Sequence, residues 1–196
     1  MGRTAKISRA GITESAVRII AQSGAQNATM RAISTDMDVN EAALYRHFKS
    51  KEELLWSAYS QIVAKMVSDK QHLSKVAIPF RVVVTEWVRI SYQSFDANPD
   101  AFAYVLLLPP PSVAIATDVT RSQGKTFMTL LRRAMKNKEI AVMPVKLAYS
   151  HFSGILLNVP RLIREGVLPG PASQYVEQVV AAAWCVLQSH DARITV

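Results

Sequence analysis

Residues 40–54 read NEAALYRHFKSKEEL, and the fold follows from how this stretch divides into helices. Asn40 suits an N-cap, because its side-chain oxygen can take one of the first unpaired amides of a helix. Leu44 and Phe48 stand four residues apart and fall on one face, so a short helix is predicted to end near Phe48. Ser50-Lys51-Glu52-Glu53 then has the form of a capping box, with the Ser50 hydroxyl on an N3 amide and Glu53 reaching back. A long helix is predicted from Lys51 to about residue 70. Tyr45, Arg46 and His47 remain off the apolar face, next to Lys51 at the following helix start. One face therefore builds a core, and the other gathers hydrogen-bond donors.

Upstream, Ala16, Ile19, Ile20 and Ser23 share a helix face, and Gly24 stands where a helix-ending glycine belongs. Thr29 is the natural cap of a second helix running through Ile33 to Met37, broken at Asp38-Val39. Leu44 and Phe48 would close a small core with Ile20, Ile33 and Val39. The second and third helices, joined across residues 37–40, have the size and spacing of a helix-turn-helix, whose short second helix enters the DNA major groove N-terminus first. Tyr45, His47 and Lys51 are donors suited to phosphate oxygens, with Lys51 at the positive end of a helix dipole.

Downstream the pattern stays helical and no strand alternation of any length occurs, so the chain is read as all-α. Pro79 opens a helix to about residue 97, and Asn98-Pro99-Asp100 starts another that stops at Pro109-Pro110-Pro111. A further helix is predicted over about 118–138. Two apolar stripes follow: Val145, Ala148, Phe152, Ile155, Leu156 and Val159, then Val176, Val179, Val180, Ala183 and Leu187. Residues 166–171 form the loop between them, and Pro160 predicts a kink or an early end to the first.

Composition narrows the function classes. Of 196 residues 49% are hydrophobic and 19% charged, which fits a globular chain rather than a disordered one. The single cysteine, Cys185, excludes an internal disulfide or a cysteine metal cage and fits a reducing compartment. The N-terminus carries charges without an apolar segment, and no run reaches the roughly 18 continuous apolar residues of a membrane span. A cytoplasmic location and no membrane partner are expected. The net charge is +8, but residues 1–53 hold eight Lys or Arg against six Asp or Glu, so local pattern rather than bulk charge must point to nucleic acid.

The segment TMRAISTDMDVNEAALYRHFKSKEEL, residues 29–54, resembles the DNA-binding domain of the tetracycline-repressor (TetR) family of bacterial transcriptional regulators. The Leu-Tyr-x-His-Phe ending of the recognition helix and the Ser-Lys-x-x-Leu start of the next carry the likeness, which extends over residues 12 to about 55. The resemblance implies an N-terminal three-helix helix-turn-helix domain over 1–52, joined by a long helix to a helical effector-binding and dimerisation domain over 53–196. It implies phosphate contacts from Thr29, Tyr45, His47 and Lys51, and a guanine or phosphate contact from Arg31. Glu41, Ala42 and Ala43 take the base-facing positions, with Asn40 and Arg46 completing the DNA-facing set. Asn27 and Asp38 stand where relatives often have glycine, and both tolerate the left-handed backbone such turns use.

The same likeness implies an effector cavity within helices four to seven. Trp87, Tyr92 and Phe102 are the favoured walls, with Trp56, Tyr59 and Met128 beside them, although each suits an ordinary core as well. The two terminal stripes look too apolar for the outermost helices of a monomer. Phe152, Ile155, Leu156 and Val159 with Val176, Val180, Ala183 and Leu187 are therefore predicted to pair with a second copy in a four-helix interface. The function read from this is a homodimeric repressor released from a palindromic operator, on double-stranded DNA, by a small-molecule effector. The alternative is a helical protein-interaction module that no longer reads DNA.

Other chemistry finds no support. His72, His151 and His190 are too scattered for a metal site. Gly124-Lys125-Thr126 lacks the upstream phosphate-loop glycine, since Val119 occupies that position. Cys185 has no basic neighbour at helical spacing. Paired Glu-x-x-His motifs and a Ser/His/Asp set are missing, so no catalytic residue and no cofactor is assigned.

Overall fold

The computed structural model describes residues 7–107 and 117–189. Among them the regular elements are helical: α1 (Arg9–Ser23), α2 (Met30–Asp36), α3 (Glu41–Tyr45), α4 (Lys51–Ser68), α5 (Phe80–Ala97), α6 (Pro99–Leu106), α7 (Thr117–Lys136), α8 (Val145–Arg164) and α9 (Val176–Gln188). Short 3-10 turns lie at Gln71–Ser74 and Ala172–Tyr175. The all-α expectation holds. No described helix is long and apolar enough to cross a membrane. The triple proline and His190 lie outside the described residues.

Local chemistry sets the boundaries of the first three helices. The Ser8 hydroxyl accepts the Gly11 amide to start α1, and α1 ends at Gly24, whose φ of 86° favours glycine. Thr29 caps α2 by accepting from Ala32, and Asn40 caps α3 by accepting from Ala42. Between them Asp38 adopts φ 52°, so it does take the left-handed conformation of a turn glycine. Asn27 does not; its amide donates instead to the Ser23 carbonyl at 2.6 Å. The helix α3 closes at Tyr45, three residues earlier than predicted, and α4 closes at Ser68.

The chain divides into two compact units, one of residues 1–65 with 98–117, the other of 66–97 with 118–196. The division does not fall after residue 52: most of α4 and all of α6 belong with the N-terminal helices. In the first unit α1 packs on α2 and α6, and α2 on α3. Its core is Ile12, Ala16, Ile20, Ile33, Leu44, Phe48, Leu54 and Ala58, all fully buried, while Val39 is only half-buried.

In the second unit α9 packs on α8 and α5. Phe127 sits at the centre of an aromatic cluster, 4.0 Å from Phe152, 4.7 Å from Trp87 and 6.0 Å from Phe80 between ring centroids. The Asp96 carboxylate accepts the amides of Ala172 and Ser173, tying the end of α5 to the turn before α9. Pro160 does not end α8, which continues to Arg164. A proline there lacks the N–H that would bond the carbonyl of Leu156. The Tyr92 hydroxyl donates to that carbonyl at 3.0 Å and supplies the missing bond.

The apolar stripes do not form an outer surface. Phe152, Leu156, Val176, Val180, Ala183 and Leu187 are each at most 7% exposed within a single chain. The most regular stripe of an amphipathic helix is the one its own core takes. Ile155 and Val159 are half-buried, and the outward positions of α8 and α9 include the small residues Gly154, Ala181, Ala182 and Cys185 together with Leu147, His151, Asn158, Arg161, Glu177 and Gln178.

Candidate nucleic-acid interface

The surface of the first unit is set by what its core withdraws. In the five-residue α3, Ala43 and Leu44 turn inward, and Ala43 is only 4% exposed. Ala43 is therefore a core spacer and not a base contact, because its methyl packs under the helix. Ala42, Tyr45 and Arg46 remain exposed, with Tyr45 at 51%; Glu41 and His47 are half-exposed. Thr29 and Arg31 are exposed at the start of α2, Asn40 at the start of α3, and Lys51 is half-exposed at the first residue of α4. Two short helices and a helix start thus offer hydroxyl, guanidinium, imidazole, phenol and ammonium groups.

Ion pairs hold this framework in register. Asp36, at the end of α2, accepts from Arg18 and from Ser15 of α1, and these bonds hold its carboxyl below the usual carboxylate range. The Ser50 hydroxyl accepts the Glu53 amide at 3.2 Å, the first half of the expected capping box. The second half shifts by one residue: Glu53 accepts the amide of Lys49 at 2.7 Å rather than that of Ser50. Its other oxygen is taken by Arg9 at 2.7 Å. The Lys49 amide, and then Arg9, hold the Glu53 carboxyl below its ordinary range.

Arg9 escaped the sequence reading. Its guanidinium lies 4.0 Å over the Phe48 ring, donates to the His47 carbonyl and pairs with Glu53. It therefore clamps the end of the recognition helix to the start of α4. Those partners lie 38 and 44 residues away, and no local pattern signals such a link.

The six effector candidates divide between the units. Trp56, Tyr59 and Phe102 belong to the first: Trp56 stacks on Tyr59 at 5.5 Å, Tyr59 meets Tyr104 edge-on at 5.8 Å, and Tyr59 and Phe102 are buried. Trp87, Tyr92 and Met128 belong to the second. Tyr92 is fully buried with its hydroxyl committed to Leu156, so it is a structural residue and not a cavity wall with a free polar tip. Met128 is half-buried. Trp87 is buried against Phe127, with the Lys70 ammonium 5.4 Å from its ring centroid. No local sequence pattern links Lys70, Phe80 and Phe127, which lie 17, 7 and 40 positions from Trp87 along the chain. Among the described residues no three His, Cys, Asp or Glu gather as metal ligands.

Residues 12–58 match the family described as bacterial regulatory proteins, tetR family. The HTH-type transcriptional regulator BetI of Rhizobium meliloti is 27% identical over 97 residues, covering 50% of this chain and 48% of BetI. The match thus spans about half the length of that curated relative. The transcriptional regulator FadR from Bacillus subtilis, solved in complex with stearoyl-CoA, superposes with a TM-score of 0.80 at 15% identity, covering 93% of this chain and all of FadR. The fatty acid degradation regulator FadR from Bacillus halodurans gives 0.76 at 17% identity, over 90% of this chain and 98% of that one. At these identities the two structures share the fold with this chain.

Proposed function

We propose that the chain, whose residues 12–58 match the tetR family of bacterial regulatory proteins, is a member of that family and a homodimeric repressor released from a palindromic operator by a small-molecule effector. One observation carries the reading. The α2–α3 pair keeps its apolar residues in a closed core and leaves Thr29, Arg31, Ala42, Tyr45 and Arg46 exposed around a clamped helix end. Thr29, Tyr45, His47 and Lys51 bond phosphate oxygens, which fix register without reading sequence. Base reading falls to Arg31, Glu41 and the Ala42 methyl, which suits a thymine methyl. So few base contacts make a single half-site weak, and function takes two recognition helices about 34–36 Å apart, one DNA turn.

The dimer forms through the outward faces of α8 and α9. Gly154, Ala181, Ala182 and Cys185 are small enough for helices to approach within the usual 8–10 Å. The effector acts on the helical part beyond residue 52; one protein of this fold, the Bacillus subtilis FadR, was solved in complex with stearoyl-CoA. By linkage, an effector that lowers DNA affinity is itself bound less tightly by the DNA-bound protein, by the same factor. Mobility shift of DNA from between neighbouring genes tests the reading. Retention that falls steeply as salt rises from about 50 to 200 mM is expected. Equal, salt-insensitive retention of all DNA, or none at low salt, contradicts it.

A further inference from the structure

Lys70 follows the last turn of α4 and is only 3% exposed. An ammonium offers three donors. Among the described residues its one hydrogen bond is to the Met66 carbonyl, long at 3.5 Å, and its one other close partner is the face of Trp87. Trp87 is itself 4% exposed, and its indole N–H has no acceptor among the described residues. The Trp87 N–H and the remaining donors of the Lys70 ammonium therefore lack acceptors among the described residues, where native interiors pair nearly all such groups. Both side chains lie in the second unit, where the Trp87 ring meets Phe127 and Phe127 in turn meets Phe80.

Burial pushes the Lys70 ammonium down to about 8, with Asp69 opposing the shift, so the group is still mainly protonated at neutral pH. A buried cation with a neighbouring neutral donor calls for an acceptor that carries negative charge. A carboxylate has two oxygens, enough for both donors, and the surrounding rings suit an apolar body. From this geometry we propose that Lys70 and Trp87 form the polar end of an effector site for a carboxylic acid with an apolar tail. The assignment rests on the effector reading above and names the chemical class of that effector. It also supplies a route to DNA. A carboxylate drawing the ammonium away from the Met66 carbonyl acts on the last turn of α4, the helix whose first residue is Lys51.

The test uses the full chain with sodium octanoate and sodium phenylacetate, against the corresponding uncharged amides, by calorimetry and by DNA mobility shift. The account predicts that the wild type binds at least one carboxylate about 10- to 100-fold more tightly than its amide. Lys70→Met should erase that preference without lowering Tm, since it removes a poorly satisfied buried charge. Trp87→Phe, which keeps the ring and loses the N–H, should weaken carboxylate binding by a smaller factor. Undiminished carboxylate binding in Lys70→Met, or no binding of either acid by the wild type, overturns the assignment. Two further outcomes separate it from the effector reading. Carboxylate bound through Lys70 without DNA release upholds the site and removes its regulatory role. Release by the amides alone upholds regulation and overturns the carboxylate assignment.

Discussion

Lys51 and Tyr45 are placed by different forces, and their substitutions should read differently. Lys51 stands at the first residue of an 18-residue helix, where the unpaired amides and the dipole add to its own charge. Lys51→Ala is expected to weaken binding across all DNA sequences and to lower the salt slope by about one. Tyr45→Phe should weaken binding uniformly with the slope retained, because a neutral hydroxyl releases no counterion. Fluorescence titration of each variant over a salt series checks both; an unchanged slope for Lys51→Ala would contradict the docking. The caps were legible at this scale, because Thr29, Asn40 and Ser50 bond amides two or three residues away. Asp38 was legible too, since its turn needs a left-handed residue. Arg9 was not, because its three partners meet it only after the chain has folded back.

Between elements, α5 and α8 are joined by one polar exchange whose energetics can be isolated. The Tyr92 hydroxyl replaces the amide that Pro160 lacks. Tyr92→Phe should leave the buried Leu156 carbonyl without a donor and cost about 1–3 kcal/mol. In Pro160→Ala the backbone amide can serve that carbonyl, so adding Tyr92→Phe to it should cost clearly less. Urea unfolding of the four proteins measures the coupling, and additive losses would show that the hydroxyl does not stand in for the amide. From sequence Pro160 signalled a kink or an end, because a proline rule counts the lost bond and cannot see a donor 64 residues away. The helices themselves were legible, their periodicity being local. Which face they bury was harder: the stripes of α8 and α9 looked like an interface and are core, while Ala43 looked accessible and is buried.

For the whole molecule, the proposed dimer joins two half-site readers through the outer faces of α8 and α9. Ala182 is exposed, so Ala182→Glu is expected to keep the fold and give monomers with greatly reduced operator binding. Val180 is 3% exposed, and Val180→Glu should instead unfold the chain, at a cost on the order of 4 kcal/mol. Sedimentation with circular dichroism distinguishes the two outcomes, and a folded, dimeric Ala182→Glu would move the interface elsewhere. The all-helical plan and the reader were legible because residues 29–54 carry caps, turn and apolar spacing within one short stretch. Of the proposed effector end, Trp87 was legible as an aromatic with a polar tip, whereas its meeting with Lys70 and Phe127 was not, since the three come from separate parts of the chain. The most direct measurement selects duplexes from a random DNA pool with the wild-type protein and titrates the selected sequence. The account predicts a two-fold-symmetric site with half-sites one helical turn apart, bound by two chains per duplex. Selection of no common sequence, or saturation by one chain on an asymmetric site, would contradict it.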